Sequence, residues 1–170
     1  MEELTISKAK QILRDNWEQG IECPCCTQLV KLYERKLNSG MAIFLIRLYK
    51  LTATNLDFVH ASKVLEGTKS LDYSVLKHWG LIQDSNVQIE HKRKSGFWSI
   101  TNKGTSFVRG EITVPMYVKL FSNELKGFSE KQITIRQALG DDFEYHELMG
   151  TPAVVARQEA RAVSWLKDED

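Results

Sequence analysis

The chain has 170 residues, of which 42% are hydrophobic and 26% are charged. This composition supports a folded core and excludes a broadly disordered chain. The 23 basic and 22 acidic residues give a formal net charge of +1, which taken alone argues against a nucleic-acid-binding protein. The longest apolar run, Met41–Ile46, ends at Arg47 and is far shorter than the ~18 residues of a membrane span.

The N-terminal sequence and the cysteine content indicate the cellular compartment in which the protein is expected. The acidic start, Met1-Glu2-Glu3-Leu4, has neither the basic beginning nor the apolar core of a signal peptide. Three cysteines in one cluster cannot form a spaced disulfide framework. We therefore expect a cytoplasmic protein in a reducing compartment.

Apolar residues at helical spacing predict four helices in the first 65 residues. They are residues 4–18, a helix capped by Thr27 that contains Leu29, Val30, Tyr33 and Leu37, residues 41–51 and residues 57–65. The helix predicted over residues 41–51 is expected to be buried on most faces, because Arg47 and Lys50 are its only charges.

From residue 70 onward, short helices and strands alternate. The predicted helices are residues 70–79, residues 102–108 after a Thr101 cap, and residues 139–149. The predicted strands are residues 81–82, 87–90, 97–100, 112–114, 117–121 and 132–135. A basic turn spans residues 92–96, and the Ala-rich residues 151–170 are expected to form an amphipathic helix or a frayed end.

The order of elements from residue 41 to residue 110 predicts a winged helix-turn-helix. In that arrangement the third helix faces the major groove and a two-stranded wing places its tip beside the phosphate backbone. The predicted fold class is α+β, mainly helical, with this core and a small additional β element towards the C-terminus. The predicted domains are a helical segment with the cysteine cluster (1–40), the winged-helix core (41–110), an acidic α/β extension (111–150) and a tail (151–170).

Two runs of sequence resemble winged-helix regulators of the MarR type. They are Leu76-Lys77-His78-Trp79-Gly80-Leu81-Ile82 and Gly96-Phe97-Trp98-Ser99-Ile100-Thr101-Asn102-Lys103-Gly104. In that group a recognition helix ends at Gly-Leu-Ile, the wing follows, and a Thr-x-x-Gly segment opens the next helix. The chain lacks the long flanking dimerisation helices of those regulators, so the oligomeric state stays open.

The whole sequence also resembles small phage- and prophage-encoded proteins of unassigned function. The shared features are a Cys-Pro-x-Cys start and the Trp-Gly-Leu-Ile block. This resemblance implies a phage-derived protein that acts in the cytoplasm of its host.

The winged-helix interpretation names the nucleic-acid-binding residues. The groove contacts are predicted on the third helix at Lys69, Ser70, Tyr73, Ser74 and Lys77. The phosphate contacts are predicted on the wing at Lys92, Arg93 and Lys94. The predicted function is DNA binding in transcription regulation or another host DNA transaction. Trp98 is expected in the core, and would stack on a single strand only with an exposed ring.

The charge is segregated along the chain. Residues 60–110 carry eight basic and four acidic side chains, a net of +4, whereas residues 111–170 carry seven and eleven, a net of −4. The near-zero total therefore does not exclude nucleic acid. The alternative function is a protein-docking module, because winged helices also bind proteins and the acidic third suits a basic surface on a host protein.

The cysteine cluster leaves three interpretations open. Cys23 and Cys26 have the spacing of a zinc knuckle, and Pro24 tightens the turn. His60 is the best outside ligand, although a site of Cys23, Cys26 and His60 still lacks the fourth ligand of a structural zinc. Reduced thiols that pack as small hydrophobes are favoured over zinc, and zinc over a redox pair.

The sequence does not predict an enzyme. It has no Gly-rich phosphate loop, no Gly-x-Ser-x-Gly elbow and no His-Glu-x-x-His run. The acidic residues near His146 are interpreted as the solvated face around a buried Phe143, Tyr145 and Leu148, rather than as a cation site. We expect no cofactor, or the structural zinc alone.

Overall fold

A computed structural model of the chain describes residues 3–52, 58–66, 72–85, 88–89, 92–93 and 96–150. The chain divides into two compact units. The N-terminal unit comprises residues 1–36 and 115–131, and the central unit comprises residues 37–114 and 132–170.

The described residues form seven helical segments and twelve strands. The helical segments are α1 (Ile6–Asn16), α2 (Ser39–Thr52), α3 (Ala61–Val64), a 3-10 helix (Asp72–Trp79), α4 (Asn102–Val108), α5 (Ile135–Leu139) and α6 (Tyr145–Met149). The strands are β1 (Ile21–Glu22), β2 (Leu29–Val30), β3 (Tyr33–Lys36), β4 (Val59–His60), β5 (Ile82–Asp84), β6 (Gln88–Ile89), β7 (Lys92–Arg93), β8 (Phe97–Ile100), β9 (Val114–Pro115), β10 (Tyr117–Phe121), β11 (Glu124–Phe128) and β12 (Gln132–Ile133). The fold class is α+β, as predicted. The finer expectation of a mainly helical chain is not supported, because the strands build five small sheets beside the helices.

The N-terminal unit contains one helix and two antiparallel sheets. Thr5 caps α1, and its side-chain oxygen accepts a hydrogen bond from the backbone N–H of Lys8 at 3.3 Å. The larger sheet has the order β11-β10-β3, and β1 pairs with β2 in the smaller one. Trp17, just after α1, packs on Phe121 of β10 with ring centroids 4.8 Å apart. This contact joins the end of the helix to the sheet.

The predicted helix after Thr27 is wrong, because this segment forms strands. Thr27 has a left-handed backbone (φ 61°) and caps no helix. Val30 pairs with Ile21 across β1 and β2. Tyr33 of β3 pairs with Leu120 of β10, a residue far along the chain. Local spacing contains no information about such a distant partner, so the helical period was misleading here.

The β10–β11 hairpin was missed in part, since β11 was not predicted. Its two turn residues, Ser122 and Asn123, both have positive φ values, of 51° and 61°. Two-residue turns of this type match the right-handed twist of paired strands. The Ser-Asn pair between two alternating segments was therefore the available signal.

The core of the central unit is α2. Its buried residues are Met41, Ala42, Ile43, Phe44, Leu45, Ile46, Leu48 and Thr52, which confirms a helix buried on most faces. The Thr52 hydroxyl donates to the Leu48 carbonyl at 2.8 Å, so the buried hydroxyl is satisfied. None of the helices in the described ranges, of which the 14-residue α2 is the longest, has the length and apolar character to cross a membrane.

A three-stranded antiparallel sheet of order β4-β8-β5 packs beside α2. Val59 of β4 pairs with Trp98 of β8, and Ile82 of β5 pairs with Ile100 on the other side of β8. Between β5 and β8 the chain forms the antiparallel β6–β7 ladder, with Ile89 opposite Lys92. The predicted helix over residues 57–65 is thereby shortened to α3, because β4 takes part of its sequence.

The remaining predicted elements agree in part with the structure. The helix over residues 102–108 is confirmed, with Thr101 as its cap. The segment predicted as helix over residues 70–79 is the 3-10 helix, and residue 70 lies outside the described residues. The strand predicted over residues 132–135 stops at Ile133, because Thr134 and Gln137 form a capping box that starts α5. The tail, residues 151–170, also lies outside the described residues.

The two runs that carry the MarR resemblance contact each other through Thr101 and Gly104. The Thr101 hydroxyl donates to the Gly80 carbonyl at 2.6 Å and accepts from the Gly104 N–H at 3.0 Å. The Thr101 N–H donates to the Leu81 carbonyl at 3.1 Å. Lys103 adds a bond from its Nζ to the Trp79 carbonyl at 2.9 Å. The start of α4 is thus fixed to the end of the 3-10 helix.

We predict that Gly104→Ala destabilises the protein. A Cβ at this position would collide with the Leu81 carbonyl oxygen and lie 2.7 Å from Ile100 Cγ1. Overpacking of this kind costs about 1–3 kcal/mol. Urea unfolding followed by circular dichroism measures the loss. Gly127→Ala is the control, because its Cβ would meet only Lys119 Cδ at 3.8 Å. Equal stabilities of the two variants would show that the close approach at Gly104 is unimportant.

Candidate nucleic-acid interface

The 3-10 helix has a buried side and an outward side. Leu76 and Trp79 are buried in the core, whereas Lys77 is exposed and Ser74 is half-buried. Of the groove residues predicted on this helix, Lys77 is thus the most accessible to a ligand. Lys69 and Ser70, also predicted there, lie outside the described residues.

Tyr73 packs in the core with its ring. The ring stacks on Phe44 of α2, with centroids 4.5 Å apart and planes 16° apart. It also meets Trp98 edge-on at 6.0 Å. Trp98 itself is only 7% exposed, so the condition set for single-strand stacking on its ring is not met. Sequence spacing placed Tyr73 on the polar side and did not reveal these two contacts.

The predicted wing residues lie on a short strand. Lys92 and Arg93 form β7, and Arg93 is opposite Gln88 of β6. Lys94 is outside the described residues. The backbone therefore brings Lys92 and Arg93 into one ladder between β5 and β8, and their role as phosphate contacts stays a prediction.

His78 follows Lys77 on the 3-10 helix and is half-buried. Burial, and to a smaller degree the charge of Lys77, lowers the pKa of His78 below the ordinary 6.5. The imidazole is therefore neutral at pH 7. It adds no positive charge to this surface, and Lys77 is the cation that the end of the helix offers.

Sequence reasoning missed a basic cavity in the central unit. A cavity of about 330 Å³ is lined by Arg47, Lys50, Leu51, Lys63, Val64 and Glu66. Arg47 donates from Nη1 to the Val64 and Glu66 carbonyls, at 3.3 and 3.1 Å. Lys50 donates to the Leu148 carbonyl at 3.0 Å. The available signal was that Arg47 and Lys50, three residues apart, are the only charges of a buried helix.

The predicted zinc ligands are not assembled as a group. Within the described ranges, no three His, Cys, Asp or Glu side chains form a cluster suited to a metal ion. His60 has local partners instead. Its Nδ1 is 2.8 Å from the Ser62 hydroxyl, and its ring meets Phe97 edge-on at 5.1 Å. Cys23 and Cys26 lie in the turn between β1 and β2, and all three cysteines are free thiols. Zinc binding stays a prediction.

The acidic segment is exposed, as its interpretation as a solvated face expected. Its exposed acidic residues are Asp141, Asp142, Glu144 and Glu147. Phe143 is also exposed, at 41%, and Tyr145 and Leu148 are half-buried, so the expectation that these three are buried beneath the charges is wrong. Tyr145 is held in place, because its hydroxyl donates to the Val108 carbonyl at 2.6 Å.

No known protein family, no curated protein and no solved structure matches this chain.

We predict that His78 makes stability pH-dependent. Because folding lowers the pKa of His78, the unfolded chain binds its proton more tightly. The stability is therefore complete above the unfolded pKa near 6.5 and falls as the pH drops below it. The imidazole signals in a proton NMR titration should show a pKa below 6.5 that rises towards it in Lys77→Gln. A measured pKa at or above 6.5 in the wild type would contradict this assignment.

Proposed function

We propose that the central unit is a winged-helix module that binds DNA and acts in transcription regulation or another DNA transaction. The observation that carries this proposal is the pairing of β4 with β8. The strand between α2 and α3 is β4, which pairs with β8, and β8 also pairs with β5. The two strands that flank the β6–β7 ladder, β5 and β8, are therefore in one sheet with β4. A winged helix-turn-helix requires this order of helices, strands and ladder, so the topology supports the interpretation.

The distribution of charge supports the same proposal. The net charge of +4 in residues 60–110 includes the exposed Lys77 and the wing residues Lys92 and Arg93. At the basic cavity the exposed Lys63 adds a further cation, whereas Arg47 and Lys50 donate to backbone carbonyls. Phosphate contacts of this kind supply most of the affinity in non-specific DNA binding. Lys77 and Lys63 are therefore exposed cations that the central unit offers to a polyanion.

The wing is tested by a variant that removes its three charges, Lys92→Gln, Arg93→Gln and Lys94→Gln together. We expect weaker binding to a fluorescent double-stranded DNA in an anisotropy titration. The slope of log affinity against log salt should become shallower by up to about 0.9 for each lost phosphate contact.

The matched control removes three basic charges from the N-terminal unit, by Lys8→Gln, Lys10→Gln and Arg14→Gln in α1. The net charge of the two triple variants is the same, so general electrostatics affects both. We expect the control to retain the wild-type salt slope. Equal losses in the two variants would exclude the wing as a specific contact, and no DNA binding by the wild type at low salt would exclude the proposed function.

A second proposed function is docking on a basic protein surface through the acidic segment. The four exposed carboxylates of residues 141–147, together with the exposed Phe143, favour it. The test is a pull-down from a nuclease-treated bacterial lysate with the wild type and with Asp141→Asn, Asp142→Asn, Glu144→Gln and Glu147→Gln combined. We expect one stoichiometric partner that the combined variant loses, since complementary charge would hold it. A partner retained equally by both proteins would rule out this surface.

A further inference from the structure

The turn between β1 and β2 contains all three cysteines of the chain. Cys23 and Cys26 are three residues apart in it. Two backbone bonds close the turn, from the Cys23 N–H to the Gln28 carbonyl and from the Thr27 N–H to the Cys23 carbonyl, each at 2.8 Å. These bonds fold the chain back on itself, so that Cys23 and Cys26 lie in one tight turn between the two strands.

Thr27, the residue after the second thiol, has an unfavourable backbone conformation. Its φ of 61° lies in the left-handed region, where a β-branched residue is a genuine outlier. Its hydroxyl donates to the Cys26 carbonyl at 2.6 Å, which helps to hold this conformation. Strain of this kind concentrates at functional turns and ligand clamps. The tight return of the chain after Cys26 therefore points to a function for the paired thiols.

The thiols are accessible to solvent, but the N-terminal unit has too few cysteine and histidine ligands to complete a zinc site. Cys25 and Cys26 are exposed and Cys23 is half-buried. A structural zinc takes four ligands, most often cysteine or histidine. The stretches that make up the N-terminal unit, residues 1–36 and 115–131, contain no histidine and no other cysteine. As stated above, the described residues bring no third ligand to the pair.

We propose that Cys23 and Cys26 form half of a tetrathiolate zinc site, and that the same turn of a second copy of the chain supplies the other half. A two-fold axis through the metal would bring identical pairs together, which is the self-complementary contact of a symmetric dimer. The four thiolates complete a tetrahedron without any other residue of the chain.

The apolar surface next to the turn fits a second copy. Leu29, directly beyond the turn on β2, is 53% exposed, and Tyr33 is 48% exposed. Both line an open cavity of about 310 Å³ in the N-terminal unit, together with Leu13, Val30, Lys31, Phe121 and Ser122. A metal that joined two turns would bring two such surfaces close together and remove apolar area from water. The exposed Leu29 and the pair of thiols, Cys23 and Cys26, would therefore both contact a second copy of the chain.

The test uses the full-length, reduced protein. We expect zinc analysis to find one zinc for two chains, about 0.5 per chain, and sedimentation to give a dimer that a chelator converts to the monomer. Cobalt in place of zinc should show the visible spectrum of a tetrahedral tetrathiolate. Cys23→Ser and Cys26→Ser should each lose the metal and the dimer. Cys25→Ser is the matched control in the same turn and should keep both.

Circular dichroism of each variant checks that the fold survives. Should a serine variant unfold, chelation of the wild type still tests the proposal, because the monomer must then appear without any substitution. One zinc in a monomer, no zinc retained by the reduced wild type, or equal loss in Cys25→Ser and Cys26→Ser would each overturn the shared site. These results do not depend on DNA binding, so either proposal can fail without the other.

Discussion

The burial of α2 is the constraint on which the central unit depends. Eight of its residues are buried, and each fully buried aliphatic or aromatic side chain contributes roughly 1.5–3 kcal/mol. The 3-10 helix, α4, α5, α6 and β8 all pack against this one helix. Apart from α2, no helical segment that the structure describes in this unit exceeds eight residues. Isolated helices shorter than ~12–15 residues are marginal in water. The short elements therefore need the surface of α2 in order to form.

Several basic side chains of the central unit donate to backbone carbonyls at the ends of short helices. Lys103 donates to the Trp79 carbonyl, Arg47 to the carbonyls of Val64 and Glu66, and Lys50 to the Leu148 carbonyl. Carbonyls at a helix end carry partial negative charge and lack partners within the helix. A count of positive charges in the sequence therefore overstates what is available to phosphate. Lys77 is exposed and stands apart from this group.

The elements that the sequence predicted correctly are those whose signal lies in neighbouring residues. The elements that it predicted wrongly depend on residues far along the chain. The helix α4 was predicted with its cap, because Thr101 and the four following residues contain the whole signal. The strands β8 and β10 were predicted because both are bounded by turn signals and rich in β-forming residues. The residues after Thr27 were predicted as a helix because Leu29, Val30, Tyr33 and Leu37 have the helical period. Their pairing with β1 and β10 depends on partners outside the window.

The candidate interface divides in the same way. The sequence by itself determined the buried α2, the basic block of residues 60–110 and the acidic segment after it, because composition and period suffice for each. Only the tertiary structure decided that the Tyr73 ring packs between Phe44 and Trp98 and that Arg47 and Lys50 line a basic cavity. It also decided that Cys23 and Cys26 lie in a tight turn in which Thr27 has a left-handed backbone. These features depend on the approach of segments and on backbone angles, which residue spacing does not encode.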